Sequence, residues 1–208
     1  MKRLLACLLA LLCVLTACAK DAAFARDADG QGFTDTKNKI HYRALASAYE
    51  PATAGAEYGT YLDEAYDFSI TFYEIPDLDP KQYLTDNYKT VYVAGDTLPN
   101  AAEWEISAVL ICDYDAISVE VFRLTPAQDA AYIAELRALW FEGDGNAVSP
   151  MTGLKSTRRI QLTCAEYPWL FYCFTFSVYE NGEAYFSDTQ AGRTVQLTPS
   201  LAQRLQAY

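Results

Sequence analysis

From about Ile40 onward the chain alternates apolar and polar residues in short runs, and the apolar positions are aromatic or β-branched. A period of two puts successive side chains on opposite faces of an extended backbone, so such runs predict half-buried strands rather than helices. Asp67 to Tyr73 alternates in this way. Trp104, Ile106, Ala108 and Leu110 alternate with Glu105 and Ser107; after Asp113-Tyr114-Asp115, Ile117, Val119 and Val121 alternate with Ser118 and Glu120, giving an antiparallel hairpin. Further strands are expected at 157–166, 170–179, 183–188 and 193–197, with Asn181-Gly182 supplying a tight turn.

Helices are predicted at three places. Leu124-Thr125-Pro126-Ala127-Gln128 supplies an N-cap threonine, a proline at the first helical position and a glutamine three residues after the cap. Tyr132, Ile133, Leu136, Leu139 and Trp140 then form one apolar stripe, and Gly143 offers a stop. Leu197-Thr198-Pro199 repeats the junction before a C-terminal helix with Leu201, Leu205 and Tyr208 on one face. A third, short helix is expected over about Pro80 to Tyr88. The predicted class is α+β: a mainly antiparallel sheet with two or three helices packed on one face. A doubly wound parallel sheet is disfavoured, because several connections are too short for crossovers.

The N-terminus has a different texture. Met1-Lys2-Arg3 is positive, Leu4 to Leu15 is nearly all apolar, and Thr16-Ala17-Cys18-Ala19 is small, the layout of a secretory signal. The apolar run is well short of the ~20 residues a membrane-spanning helix needs. Leu15-Thr16-Ala17-Cys18 resembles the lipobox of bacterial lipoprotein precursors. The resemblance implies that the Cys18 sulfur receives a diacylglyceryl group and that cleavage falls just before Cys18. Two acyl chains anchor firmly where one is marginal. Ordinary secretion is the alternative, since Ala17-Cys18-Ala19 and Ala23-Phe24-Ala25 also fit a conventional cleavage site. The expected organisation is therefore a signal peptide at 1–17, a lipidated flexible tether at 18–39, and one α+β domain at 40–208. The expected location is the extracytoplasmic face of the cell membrane.

Removing residues 1–17 takes Lys+Arg from 16 to 14 against 27 Asp+Glu, and the net charge from −11 to −13. Such a surface repels nucleic acid phosphates, so no nucleic acid partner is expected. Beyond Cys18 the remaining cysteines are Cys112, Cys164 and Cys173. A two-residue turn at Pro168-Trp169 would set Cys164 across from Cys173. A slip of one residue instead aligns Ile160, Leu162 and Cys164 with Val178, Phe176 and Phe174, and sends the two thiols to opposite faces. Buried, unpaired thiols are the expectation.

Much chemistry is excluded or disfavoured. His41 is the only histidine, which rules out H-E-x-x-H and other multi-histidine metal sites; it reads as a strand residue with a satisfied ring. No G-x-S-x-G, Walker-type or G-x-G-x-x-G motif occurs. Asp27-Ala28-Asp29-Gly30 and Glu142-Gly143-Asp144-Gly145-Asn146 offer too few oxygens for a closed calcium site. No metal or cofactor is expected. Glu103 with Glu105, and Asp113 with Asp115, read as solvated charges; Lys155 with Arg158-Arg159 is the only basic cluster, and it fits a grip on an anionic partner and a strand end exposed to water equally well. The aromatic turn Glu166 to Tyr172 is the candidate binding surface: Tyr167, Trp169 and Tyr172 are the residues expected to meet a protein or glycan partner. The functional expectation is a non-enzymatic binding module for a protein partner or cell-envelope ligand. The alternative is a carboxylate-dependent hydrolase acting on envelope polysaccharide.

Overall fold

The computed structural model describes residues 24–95, 98–114 and 119–207. The chain divides into two compact units, Met1–Ala44 with Ala54–Asp96, and Leu45–Thr53 with Thr97–Tyr208. Strand accounts for 46% of the described residues and helix for 16%, with two α-helices rather than three. The expected α+β class is thereby corrected: the chain is mostly antiparallel sheet, closer to all-β.

The first unit holds β1 (Phe24–Arg26), β2 (Gly32–Asp35), β3 (Ile40–Ala44), β5 (Glu57–Asp63), β6 (Phe68–Glu74), β7 (Tyr83–Asp86) and β8 (Val91–Ala94), while the intervening β4 (Tyr49–Pro51) belongs to the second. The strand order is β1-β2-β3-β8-β7-β6-β5, every neighbour antiparallel. The outermost strands β1 and β5 touch, with Phe24 6.0 Å from Tyr58 between ring centroids. The sheet curls into a near-barrel, which hides the edges that an open sheet leaves exposed. Inside, Phe24, Phe33, Tyr42, Ile70, Phe72, Leu84 and Tyr92 form one buried cluster.

Two expectations fail in this unit. The flexible tether does not run to residue 39, because β1 and β2 fall inside it and bury Phe24 and Phe33. The helix expected over about 80–88 is β7, paired with β6 and β8. Its four residues end at Asp86, whose Oδ1 accepts from the backbone N–H of Tyr88 and Thr90, and Lys89 completes the turn at φ 66°. That chemistry favours a turn over continued helix.

The same device recurs. Asp35 Oδ1 accepts from Lys37 and Asn38 N–H, and Lys39 follows at φ 59°. Asp63 Oδ1 accepts from Ala65 N–H, and Asp67 follows at φ 49°. Each aspartate also accepts from a tyrosine hydroxyl: Tyr58 to Asp35, Tyr61 to Asp63, Tyr92 to Asp86. A good part of the acidic surplus thus closes turns. Burial works against the charge of Asp35, yet the bonds from Asn38, Tyr58 and Lys37 outweigh it and hold its carboxyl below the ordinary aspartate range.

The second unit contains β4, a 3-10 turn at Ala101–Glu103, β9 (Ile106–Asp113), β10 (Glu120–Leu124), α1 (Pro126–Glu142), β11 (Leu154–Cys164), β12 (Leu170–Tyr179), β13 (Ala184–Asp188), β14 (Arg193–Gln196) and α2 (Pro199–Gln206). The sheet runs β10-β9-β11-β12-β13-β14, with β4 added beside β12. Ile160, Leu162, Phe174, Phe176 and Phe186 from one face pack with Tyr132, Leu136 and Trp140 of α1 and Leu201 and Leu205 of α2. Trp140 stacks on Phe174 at 4.4 Å and 13°.

The start of α1 follows its sequence, with a second step. Gln128 Oε1 accepts from Thr125 N–H at 2.7 Å. Asp129 then leaves helical geometry (φ −160°, ψ 82°), and its Oδ1 accepts from Tyr132 N–H at 2.9 Å, capping the rest of the helix. Thr198 caps α2 by accepting from Leu201 N–H at 3.3 Å. Arg204 pairs with Asp129 and lies over the Tyr132 ring, 3.7 Å from its centroid, fastening α2 to α1. Arg193 donates to the carbonyls of Trp140 and Gly143, satisfying the C-terminal end of α1.

The β11–β12 register also departs from expectation. Ile160 faces Phe174 and Leu162 faces Tyr172, because residues 165–169 form a loop longer than the two-residue turn considered. The change is an even number of residues, so Ile160 and Leu162 keep their face. Cys112, Cys164 and Cys173 are all buried and unpaired.

Candidate functional site

β12 has β11 along one side. On its other side two strands share the edge: β4 pairs with Leu170, Phe171 and Tyr172, and β13 pairs with Thr175 to Val178. Cys173 and Phe174 lie between these stretches, and there the sheet has a slot. Its volume is about 220 Å³. The end of β4's approach (Ser47, Ala48), Glu50, and the turn after β13 (Asp188, Thr189, Gln190) wall it. Cys173 N–H donates to Ala48 O at 2.7 Å, which fixes the β4 side.

Strand alternation places the polar groups. Ile160 and Leu162 point into the helix-covered core, so Arg159 and Gln161 point the other way. On that face Arg159 forms an ion pair with Glu50, and both side chains are 17% exposed. Burial opposes the charge of Arg159, and neighbouring Cys173 and Glu50 more than offset it, so the guanidinium remains a cation. Its Nε–H is buried and meets no oxygen acceptor among the described residues, only the neighbouring Cys173 thiol lying against the guanidinium. A donor of that kind costs about 1–3 kcal/mol when nothing accepts from it. Beside it, burial pushes the Cys173 thiol up to about 12, with Glu50 adding to the rise. The thiol is therefore neutral near pH 7 and a poor nucleophile. Cys112 Sγ donates to Gln161 Oε1 at 3.5 Å on the same face. Asp188 Oδ1 accepts from Gln190 and Ala191 N–H at 3.0 and 3.1 Å, so the turn that walls the slot is held by its own carboxylate.

The expected aromatic platform is arranged differently. Tyr167 sits between Trp104 (6.0 Å) and Trp169 (6.2 Å), while Tyr172 packs on Tyr49 (5.1 Å) and Phe141 (5.3 Å) and its hydroxyl accepts from Trp140 Nε1–H. Tyr49 also meets Trp104 at 5.9 Å, so the three residues are rungs of one packed aromatic ladder. None of them lines the slot. His41, in β3, has its ring nitrogen 2.6 Å from Asp27 Oδ2, the satisfied ring expected of it. Cys18 and Asp115 lie outside the described residues.

A second cleft, of about 320 Å³, is lined by Glu105, Ser107, Pro126, Cys164 and Glu166. Glu105 and Glu166, which the sequence does not pair, both line it; Glu103 instead accepts from Asn100 Nδ2 at 2.8 Å. Among the described residues no group of three or more His, Cys, Asp or Glu is placed to hold a metal ion. Nor is any helix there long and apolar enough to cross a membrane.

Sequence reasoning missed Glu50 and Asp188 and left Arg159 open between a grip on an anionic partner and a strand end exposed to water. The alternation of Arg159, Gln161 and Thr163 against Ile160 and Leu162 was the available signal: a long strand with apolar residues on one face and a guanidinium among small polar groups on the other. Compared with protein-family models, with curated proteins and with solved structures, the chain matches none.

Proposed function

We propose that this chain is a lipid-anchored, extracytoplasmic binding module, held to the cell membrane through a diacylglyceryl group on Cys18, that engages a protein or cell-envelope ligand. The observation that carries the location is the order of positive segment, apolar run and Leu15-Thr16-Ala17-Cys18. The binding role is supported by the polar slot of the second unit, where a charged pair is kept largely buried in a sheet beside a thiol that burial holds neutral. In sequence, β1 starts at Phe24, a few residues after Cys18. The test is fractionation of host cells with palmitate labelling: the native chain should sediment with membranes and carry label, and Cys18→Ser should do neither. Unlabelled native protein in the cytosol would overturn the proposal.

One observation favours the rival reading, a carboxylate-dependent hydrolase of envelope polysaccharide: Glu105 and Glu166 line one cleft. Such enzymes flank the scissile bond with two carboxyl groups, about 5 to 10 Å apart. Release of soluble fragments from labelled envelope polysaccharide, abolished by Glu166→Gln, would establish it; no release by the native chain would dismiss it.

A further inference from the structure

Resting on the binding-module reading, we infer that the slot between β4 and β13 holds one ring of a neutral sugar. Of its three charged residues, two are balanced against each other and the third is held by backbone N–H groups. Arg159 and Glu50 neutralise each other, and Asp188 has one oxygen committed to two backbone N–H groups. An anion would find its only guanidinium already holding a carboxylate and would meet Asp188 besides. A cation would meet Arg159. What the slot offers freely is hydroxyl chemistry: Ser47, Thr175, Thr189 and Tyr114, with the Gln190 amide. Each hydroxyl both donates and accepts, as does every hydroxyl of a sugar, so a neutral polyhydroxylated ring can satisfy all of them at once.

Two further features fit the same ligand. The buried Nε–H of Arg159 has no oxygen acceptor among the described residues, and a sugar oxygen is a stronger acceptor than the Cys173 thiol beside it. Tyr114 lines the slot and is 49% exposed, so its ring offers a flat apolar face to the C–H side of a sugar. Size limits the occupant. At about 220 Å³ the slot is below the roughly 300–1,000 Å³ of sites for drug-sized ligands, so it takes one ring rather than a chain of them.

Isothermal titration of the full chain in detergent with glucose, galactose, mannose and N-acetylglucosamine tests this, with each sugar also presented at the non-reducing end of an oligosaccharide. At least one should bind with a millimolar Kd or tighter. Binding of the free sugar and the oligosaccharide alike marks a ring-end site; binding of the free sugar alone marks a monosaccharide site, and either supports the inference. Thr175→Val, which keeps the side-chain shape, and Tyr114→Ala, at the exposed rim, should each weaken binding about tenfold while the unliganded Tm stays put. Cys18→Ser should bind as the native chain does. No sugar binding, binding unmoved by both variants, or tighter binding of glutamate or putrescine would overturn the sugar site. None of those results touches membrane anchoring, which the fractionation decides by itself.

Discussion

The two sheets of this chain solve the same problem differently. The first curls until its end strands meet and fills its interior with aromatic rings, so its polar side chains are left to close turns. The second stays open, covers one face with two helices, and carries Arg159, Gln161 and Cys173 half-buried or buried on the other. The closed sheet's buried polar residues, Asp35, Thr85 and Asp86, are committed to closing turns, whereas a sheet with one face packed by helices can keep uncommitted polar groups at its second face. Polar burial without structural necessity is where function is best sought.

The sharpest way to break this contrast is to remove a ring from the helix-covered face. Trp140→Ala should cost about 3–5 kcal/mol in urea unfolding, because it vacates the stack on Phe174. Hydrogen exchange should show lost protection in β11, β12 and α1; a loss under 1 kcal/mol would mean that face is not the second unit's core.

Next in size is the slot's ion pair. Glu50→Ala leaves Arg159 half-buried without its carboxylate and should cost about 1–3 kcal/mol. Glu50→Gln should recover part of that loss, and equal stability of all three proteins would show the pair to be idle.

Asp35 examines the closed sheet instead. Its carboxyl is held below the ordinary range when folded, so its contribution is present above the unfolded pKa of about 3.9 and is lost as pH falls through the lowered folded value. Asp35→Asn should therefore reduce stability at pH 7 by about 1 kcal/mol and flatten the decline below pH 4. An unchanged acid limb in chemical denaturation would remove Asp35 from the account.

The smallest effect belongs to the turns. Lys39 and Lys89 hold positive φ, so Lys89→Gly should change Tm little or raise it slightly, within about 1 kcal/mol. Gly192→Ala, at φ 64° with open space around it, should lose about the same amount.

How much of this was legible follows from what each residue's partner is and how far away it lies. Strands β6 and β11–β14 and the start of α1 are written locally, in alternation and in Thr125-Pro126 with Gln128, and the sequence read them nearly in place. β1 and β2 were not legible, because Phe24 and Phe33 are single apolar residues in a polar stretch whose partners, Phe72 and Tyr92, come much later. β7 was mistaken for helix since its pairing with β6 and β8 outweighs local preference. The slot was invisible for the same reason: Arg159 meets Glu50 across 109 residues, and no spacing rule links them.

The strand β4 has a consequence for biosynthesis. Only three residues long, it lies between two strands of the first unit in sequence, yet its neighbour in the sheet is β12, far downstream. A nascent polypeptide therefore exposes Tyr49 and Glu50 long before Leu170 to Tyr172 are translated, so the β4 edge of the second unit stays unpaired until β12 has been made. A fragment beginning after Thr53 would lack one wall of the slot and the counterion of Arg159, however faithfully its remaining strands assembled.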